Sequence, residues 1–124
     1  LGMVHSLAHP LSARHGTHHG LANALMLPDS MAFIESVNLT AAQQQRIQTI
    51  RTLFAEAGRS GDSLADETRM WFEELGVEFG LKNYGIPEAD LPALADEAFA
   101  DPCHATNLIP VSRAELAGVY VCAF

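Results

Sequence analysis

Apolar residues recur along most of the chain at three- and four-residue steps, the period that lines up side chains on one face of an α-helix. Met3, Val4, Leu7, Ala8 and Leu11 follow it first. Gly16 and Thr17 interrupt. The pattern resumes from about His18 to Val37 through Leu21, Ala24, Leu25, Phe33 and Ile34, with Pro28 expected to kink or divide that helix. Asn38-Leu39-Thr40 offers a cap to a third helix, in which Ile47, Ile50, Leu53 and Phe54 keep the period until Gly58 ends it. The stretch GRSGDS, residues 58 to 63, reads as a loop whose Asp62 or Ser63 caps a helix through Leu64, Met70, Trp71 and Leu75, reaching towards Phe79. A turn with Pro87 precedes a short helix from about Asp90 to Ala100. The last helix starts near Ser112, which with Glu115 forms a capping-box pattern, and carries Leu116, Val119 and Tyr120. No run of four residues alternates as a strand and no repeat is visible, so the predicted fold class is all-α, in one domain spanning residues 1–124.

Composition narrows the functional classes. At 124 residues and 48% apolar content the chain can bury a core without disulfide staples. Its net charge of -8 argues against nucleic acid or an anionic membrane surface as a partner. Cys103 and Cys122 form no C-x-x-C element, which makes reduced thiols in a cytoplasmic protein the expectation. No apolar run reaches the length of roughly 18 to 20 residues that a membrane-spanning helix needs. The chain opens at Leu1 inside an apolar, periodic segment, as expected of a piece of something longer.

The candidate chemistry lies in the first two helices. Five of the six histidines fall within the first nineteen positions, interspersed with Leu7, Ala8 and Leu11. His5 and His9 are four apart, so a helix places them on one face with Cβ atoms about 5 to 6 Å apart. Pro10 follows directly and should bend the helix near both imidazoles. His19 opens the next helix beside Gly20, whose missing side chain allows close approach. Two helices and a tight connection can therefore bring three imidazoles towards one point. Plainer roles are expected for other residues: His15 and His18 exposed near Gly16, Met26, Met31 and Met70 filling the core, and the Glu73-Glu74 and Asp96-Glu97 pairs on solvated faces.

The composite H-S-L-A-H-P-L-S-A followed by H-G-L-A-N-A-L-M-L-P resembles the histidine signature of the iron-containing alcohol dehydrogenases. That signature has a first His, a second four residues on before Pro or Gln, and a third fourteen after the first, preceding Gly, with Leu-Pro downstream. Here these are His5, His9 and His19, with Gly20, Leu27 and Pro28. Residues 86 to 107, IPEADLPALADEAFADPCHATN, resemble the family's later segment, a helix rich in Ala and acids ending at Asp-x-Cys and then an Asn. Asp29 departs from the pattern, which often has His after Leu-Pro.

The resemblance implies the family's C-terminal metal-binding helical bundle, of the dehydroquinate synthase-like α type, cut from a larger NAD(P)-dependent enzyme that interconverts alcohols with aldehydes or ketones. It implies His5 and His19 as ligands of a divalent metal, usually Fe(II) and in some members Zn(II). His9 is then a non-ligand near nicotinamide and substrate, a catalytic proton relay or positioning group, and Cys103 lies by the substrate pocket. NAD or NADP would be bound mainly by the nucleotide-binding domain that precedes this one in the family. The expected behaviour of the isolated chain is weak metal binding, no turnover, and homo-oligomerisation through Leu7, Leu11, Leu21 and neighbours uncovered by that domain's absence. Two other classes compete: a self-contained metal-binding domain in which Asp101 and His104 join His5 and His19, and an inert structural or interaction module.

Overall fold

A computed structural model describes residues 2–124 and contains six α-helices among them: α1 (Gly2–His15), α2 (His19–Ser36), α3 (Ala41–Glu56), α4 (Leu64–Glu74), α5 (Leu91–Ala100) and α6 (Arg113–Ala123). No strand occurs among the described residues. The α1–α2 hairpin is the centre of the bundle. α1 packs on α2 and α5, α2 also meets α4 and α6, and α5 lies against α6. Met3, Leu7 and Leu11 of α1, Leu25 and Met26 of α2, Leu94 of α5, and Leu116 and Tyr120 of α6 form one fully buried core. Tyr120 donates its hydroxyl hydrogen to the Leu7 carbonyl at 2.6 Å and so ties α6 to α1. Burial, with Glu97 nearby, pushes the Tyr120 phenol up, so it remains a protonated donor.

Helix starts follow the sequence signals. Thr40 and Gln43 cap α3 reciprocally, as Ser112 and Glu115 cap α6. The Ser63 side chain accepts from the Asp66 amide at the start of α4. A second cap, this one anionic, comes from elsewhere in the fold: the Glu35 carboxylate on α2 accepts from the Leu64 and Ala65 amides at 2.9 and 3.2 Å. A carboxylate at that end satisfies orphan donors and complements the helix dipole. Gly16, at φ 66°, makes the left-handed turn that reverses the chain between α1 and α2.

Several expectations are corrected. Pro28 does not divide its helix; α2 runs unbroken from His19 to Ser36, with Pro28 buried among core neighbours that hold the turn together. α4 stops at Glu74, short of Phe79, because Gly76 adopts φ 85°. Met70 is not core filler: it is 44% exposed, and Trp71 and Leu75 on the same helix are also exposed. Periodicity identified the helix but not how much of its apolar face finds cover, and α3, which packs on α4, contributes no fully buried residue. Leu7 and Leu11 are fully buried beneath α5, α6 and the 3-10 turn Pro102–Thr106, and Leu21 is half-buried, so the uncovered patch expected around them is absent. Exposed apolar side chains lie instead mainly on α3 and α4 and just beyond, at Ile50, Leu53, Met70, Trp71 and Leu75, with Phe99 of α5 and Val121 of α6 standing apart. No helix among the described residues is long and apolar enough to cross a membrane.

Candidate metal and proton-transfer site

The α1–α2 hairpin brings His5, His9 and His19 together. Their ring centroids are separated by 5.9 Å for His5 and His9, 5.5 Å for His5 and His19, and 5.4 Å for His9 and His19. Helical spacing fixes the first pair; the Gly16 turn delivers the third ring. Asn23, one turn after His19, donates from Nδ2 to the His19 carbonyl at 2.9 Å and places the same nitrogen 3.1 Å from His19 Nε2. Asn23 Oδ1 is buried without a partner. Beside them a cavity of ≈ 390 Å³ is lined by His5, Gly20, Asn23 and apolar Val4, Leu27, Met31 and Phe72. A Cβ on Gly20 would meet only the His18 ring, at 3.5 and 3.6 Å, so the glycine leaves cavity surface open rather than relieving a clash.

Two imidazoles from separate helices, with an unpartnered buried oxygen next to them, are donors that a divalent cation of borderline softness accepts. His5 and His19 therefore fit such an ion as half of a ligand set, since a tight site draws three or four ligands from protein.

His9 is held differently. Its Nδ1 lies 2.7 Å from Asp101 Oδ2, at the C-terminal end of α5. The other carboxylate oxygen, Oδ1, accepts from Ser6 Oγ at 3.0 Å and from the Cys103 amide at 2.8 Å. Ser6, fully buried one turn before His9, also accepts the His104 amide at 2.8 Å. Burial pushes the Asp101 carboxyl up, but hydrogen bonds from His9, the Cys103 amide and thiol, and Ser6 outweigh it and hold the group well below the usual carboxylate range. The same bond pushes the Cys103 thiol up, which makes it a poor nucleophile. Cys103 lies in the cluster with His9 and Asp101, their ligand atoms within 4.8 Å of one another.

A carboxyl whose folded pKa is depressed adds stability that is present above the unfolded value, about 3.9, and is lost as pH falls through the folded one. Asp101→Asn removes that contribution. The variant is expected to lose its stability deficit relative to the parent chain as pH drops below about 4, as thermal melts at a series of pH values would show; a deficit unchanged from neutral pH to pH ~2 would contradict it.

Asp101 and His104 are not brought to His5 and His19 as a ligand group among the described residues. Asp101 turns to His9, while His104 stacks on Phe99 with centroids 5.2 Å apart and places Nε2 3.0 Å from the Phe99 carbonyl. His18 caps α2 through Nδ1, which accepts from the Gly20 amide. His15, expected to be solvent-exposed, is only 15% exposed in its side chain, with Nε2 3.4 Å from Asp90 Oδ2. The turn before α5 folds back over the end of α1 and covers it. Sequence reasoning missed Ser6 and the His9–Asp101 pair. Ser6 carried a signal, three positions before His9 on the same helix face, whereas Asp101, 92 residues away, stood out only in the Asp-x-Cys segment and as a rival metal ligand, with nothing to pair it with His9.

The architecture and the convergent imidazoles define an all-α domain built around a histidine-bearing helical hairpin. The model of the Fe-containing alcohol dehydrogenase family, C-terminal, matches residues 1–124, and the chain belongs to that family. Lactaldehyde reductase of Escherichia coli strain K12 is 32% identical over 114 residues, covering 86% of this chain and 28% of that protein. NAD-dependent methanol dehydrogenase of Bacillus methanolicus is 31% identical over 113 residues, again covering 86% of this chain and 28% of that protein. The crystal structure of a 1,3-propanediol oxidoreductase superposes with a TM-score of 0.76 at 24% identity, covering all of this chain and 33% of the other. The chain thus spans about a third of the length of the proteins it matches. The relatives are alcohol and aldehyde oxidoreductases.

Proposed function

We propose that this chain is the metal-holding helical part of an NAD(P)-dependent oxidoreductase that interconverts a small alcohol with its aldehyde or ketone. The observation that carries this reading is the imidazole cluster, in which His5 and His19 converge from two helices while His9, beside them, is engaged by a carboxylate. His5 and His19 would hold a divalent ion, Fe(II) or Zn(II), with the remaining ligands coming from outside this chain. When bound, the ion would supply Lewis-acid polarisation of an alcohol oxygen, and a nicotinamide would supply the hydride acceptor. His9 receives the hydroxyl proton through the ring nitrogen that Asp101 does not engage, and passes it outward through its exposed edge. The apolar wall formed by Val4, Leu27, Met31 and Phe72 excludes water from the face of the cluster nearest His5. Cys103, held by its amide and thiol against Asp101, borders the substrate side and shapes it without reacting.

A second reading is favoured by one observation. An imidazole whose far nitrogen is tied to a carboxylate is the usual form of a metal-ligating His, which would make His9 a third ligand. Metal content separates the two in a full-length protein carrying this domain. His5→Ala and His19→Ala are each expected to reduce bound iron or zinc by 10-fold or more, within the range from about 10- to 100-fold that even outer-shell losses cause. His9→Ala is expected to retain it. Equal loss in all three variants establishes the second reading instead.

A further inference from the structure

We infer that Asp101 is a positioning residue that fixes the His9 ring in one tautomer, with hydrogen on Nδ1 and the lone pair on Nε2, and that Ser6 and the Cys103 amide make this choice one-sided. The inference rests on the relay role proposed for His9 but can be tested without it.

The argument is one of donors and acceptors. Asp101 has two carboxylate oxygens with separate duties. Oδ1 is occupied by two donors, the Ser6 hydroxyl at 3.0 Å and the Cys103 amide at 2.8 Å, and the second of these is backbone and cannot reverse its role. Ser6 is committed as well, because its oxygen already accepts the His104 amide, leaving its hydrogen for Asp101. Oδ2 is thereby left to face His9 Nδ1 at 2.7 Å as an acceptor. A neutral imidazole meets a carboxylate oxygen only through N–H, so the ring hydrogen sits on Nδ1 and Nε2 is bare. A base that is to take a proton from a hydroxyl group needs that bare nitrogen. The reverse tautomer would place two lone pairs against each other at 2.7 Å and present an N–H where an acceptor is needed.

The same geometry says what Asp101→Asn does. The two donors at Oδ1 hold the amide oxygen there, so the Asn NH₂ must face His9 Nδ1. Two N–H groups cannot point at each other, and the ring responds by moving its hydrogen to Nε2. Asn is nearly isosteric with Asp, and the substitution therefore inverts the tautomer while preserving the packing. Asp101→Ala removes the constraint in both directions and leaves the ring to choose. A purely structural Asp101 predicts the opposite ranking, with Ala at least as damaging as Asn.

The test is a two-bond ¹H–¹⁵N correlation spectrum of the full chain at about pH 9, where an unperturbed imidazole is neutral. His9 is assigned by its disappearance in His9→Gln, and circular dichroism checks the fold of each variant. The expected result is the Nδ1–H pattern in the parent chain, the Nε2–H pattern in Asp101→Asn and a mixture in Asp101→Ala. In full-length enzyme, Asp101→Asn is expected to keep its metal and lose on the order of 10²-fold or more in kcat, more than Asp101→Ala, with KM moved far less. An Nε2–H pattern in the parent chain, or an unchanged pattern in Asp101→Asn, overturns the inference. An inverted tautomer with kcat intact overturns the positioning role. Metal loss in His9→Ala bears only on the relay reading, and the tautomer result stands apart from it.

Discussion

Replacing His9 by Ala in a full-length enzyme carrying this domain is expected to lower kcat by about 10²- to 10⁴-fold, the range that a positioned acid–base group contributes, with bound metal retained. The physical basis is the division of labour within the cluster. His5 and His19 sit 5.5 Å apart with a buried, unpartnered Asn23 oxygen beside them, whereas His9 is held by Asp101 on the opposite flank, its side chain 42% exposed. Partial exposure suits a group that must return a proton to solvent. Because the His9 bond is the largest of those holding the Asp101 carboxylate down, its truncation is expected to lower the bundle's melting temperature modestly, by less than emptying a core position such as Leu7 or Leu11 on the same helix. Steady-state kinetics with metal analysis on the same preparation checks both halves. A variant that keeps its rate would remove His9 from the proton path.

Arg51→Met is expected to destabilise the α3–α4 pair by about 3 kcal/mol, the lower end of what stranding one partner of a buried ion pair costs. Glu67 is only 2% exposed, and its Oε1 accepts from Arg51 Nε and Nη2 at 3.1 and 3.0 Å and from the Gly61 amide at 3.3 Å. Arg51 Nη2 also donates to the Gly61 carbonyl at 2.7 Å and so pins the loop between the two helices. The Glu67 hydrogen bond holds the Arg51 guanidinium above its ordinary value, so the cation persists throughout the working pH range. Removing it leaves a buried carboxylate with one amide donor. The remaining Arg51 exposure, 28% of the side chain, keeps the effect from the upper end. Since α3 has no fully buried residue of its own, the loss should appear as local opening. Hydrogen exchange is expected to quicken through α3 and the 58–63 loop while α1, α2, α5 and α6 stay protected. Pairing Arg51→Met with Glu67→Leu should restore most of the protection, because the stranded charge is gone.

The sequence by itself determined the helices and two-thirds of the imidazole cluster. Helix formation is a short-range matter of period, caps and breakers, and Thr40, Ser63, Ser112 and Gly16 act as their neighbours dictate. His5 and His9 meet because four residues make about one helical turn, and that holds wherever the helix lies. The third ring needed only the tight Gly16 turn. What the chain could not disclose is whatever depends on which face meets which. Met70 and Leu7 both sit on periodic apolar positions, yet one is 44% exposed and the other fully buried, because α1 packs against α2, α5, α6 and the 3-10 turn Pro102–Thr106 whereas α4 packs mainly against α2 and α3. The pairing of His9 with Asp101 rather than of His5 with Asp101 and His104 was likewise decided by where α5 ends against α1. Arg51 finding Glu67, and Glu35 capping a helix 29 residues downstream, are of the same kind. Such contacts have no local signature: their energy arises from burial and pairing of polar groups that only the assembled bundle brings within reach.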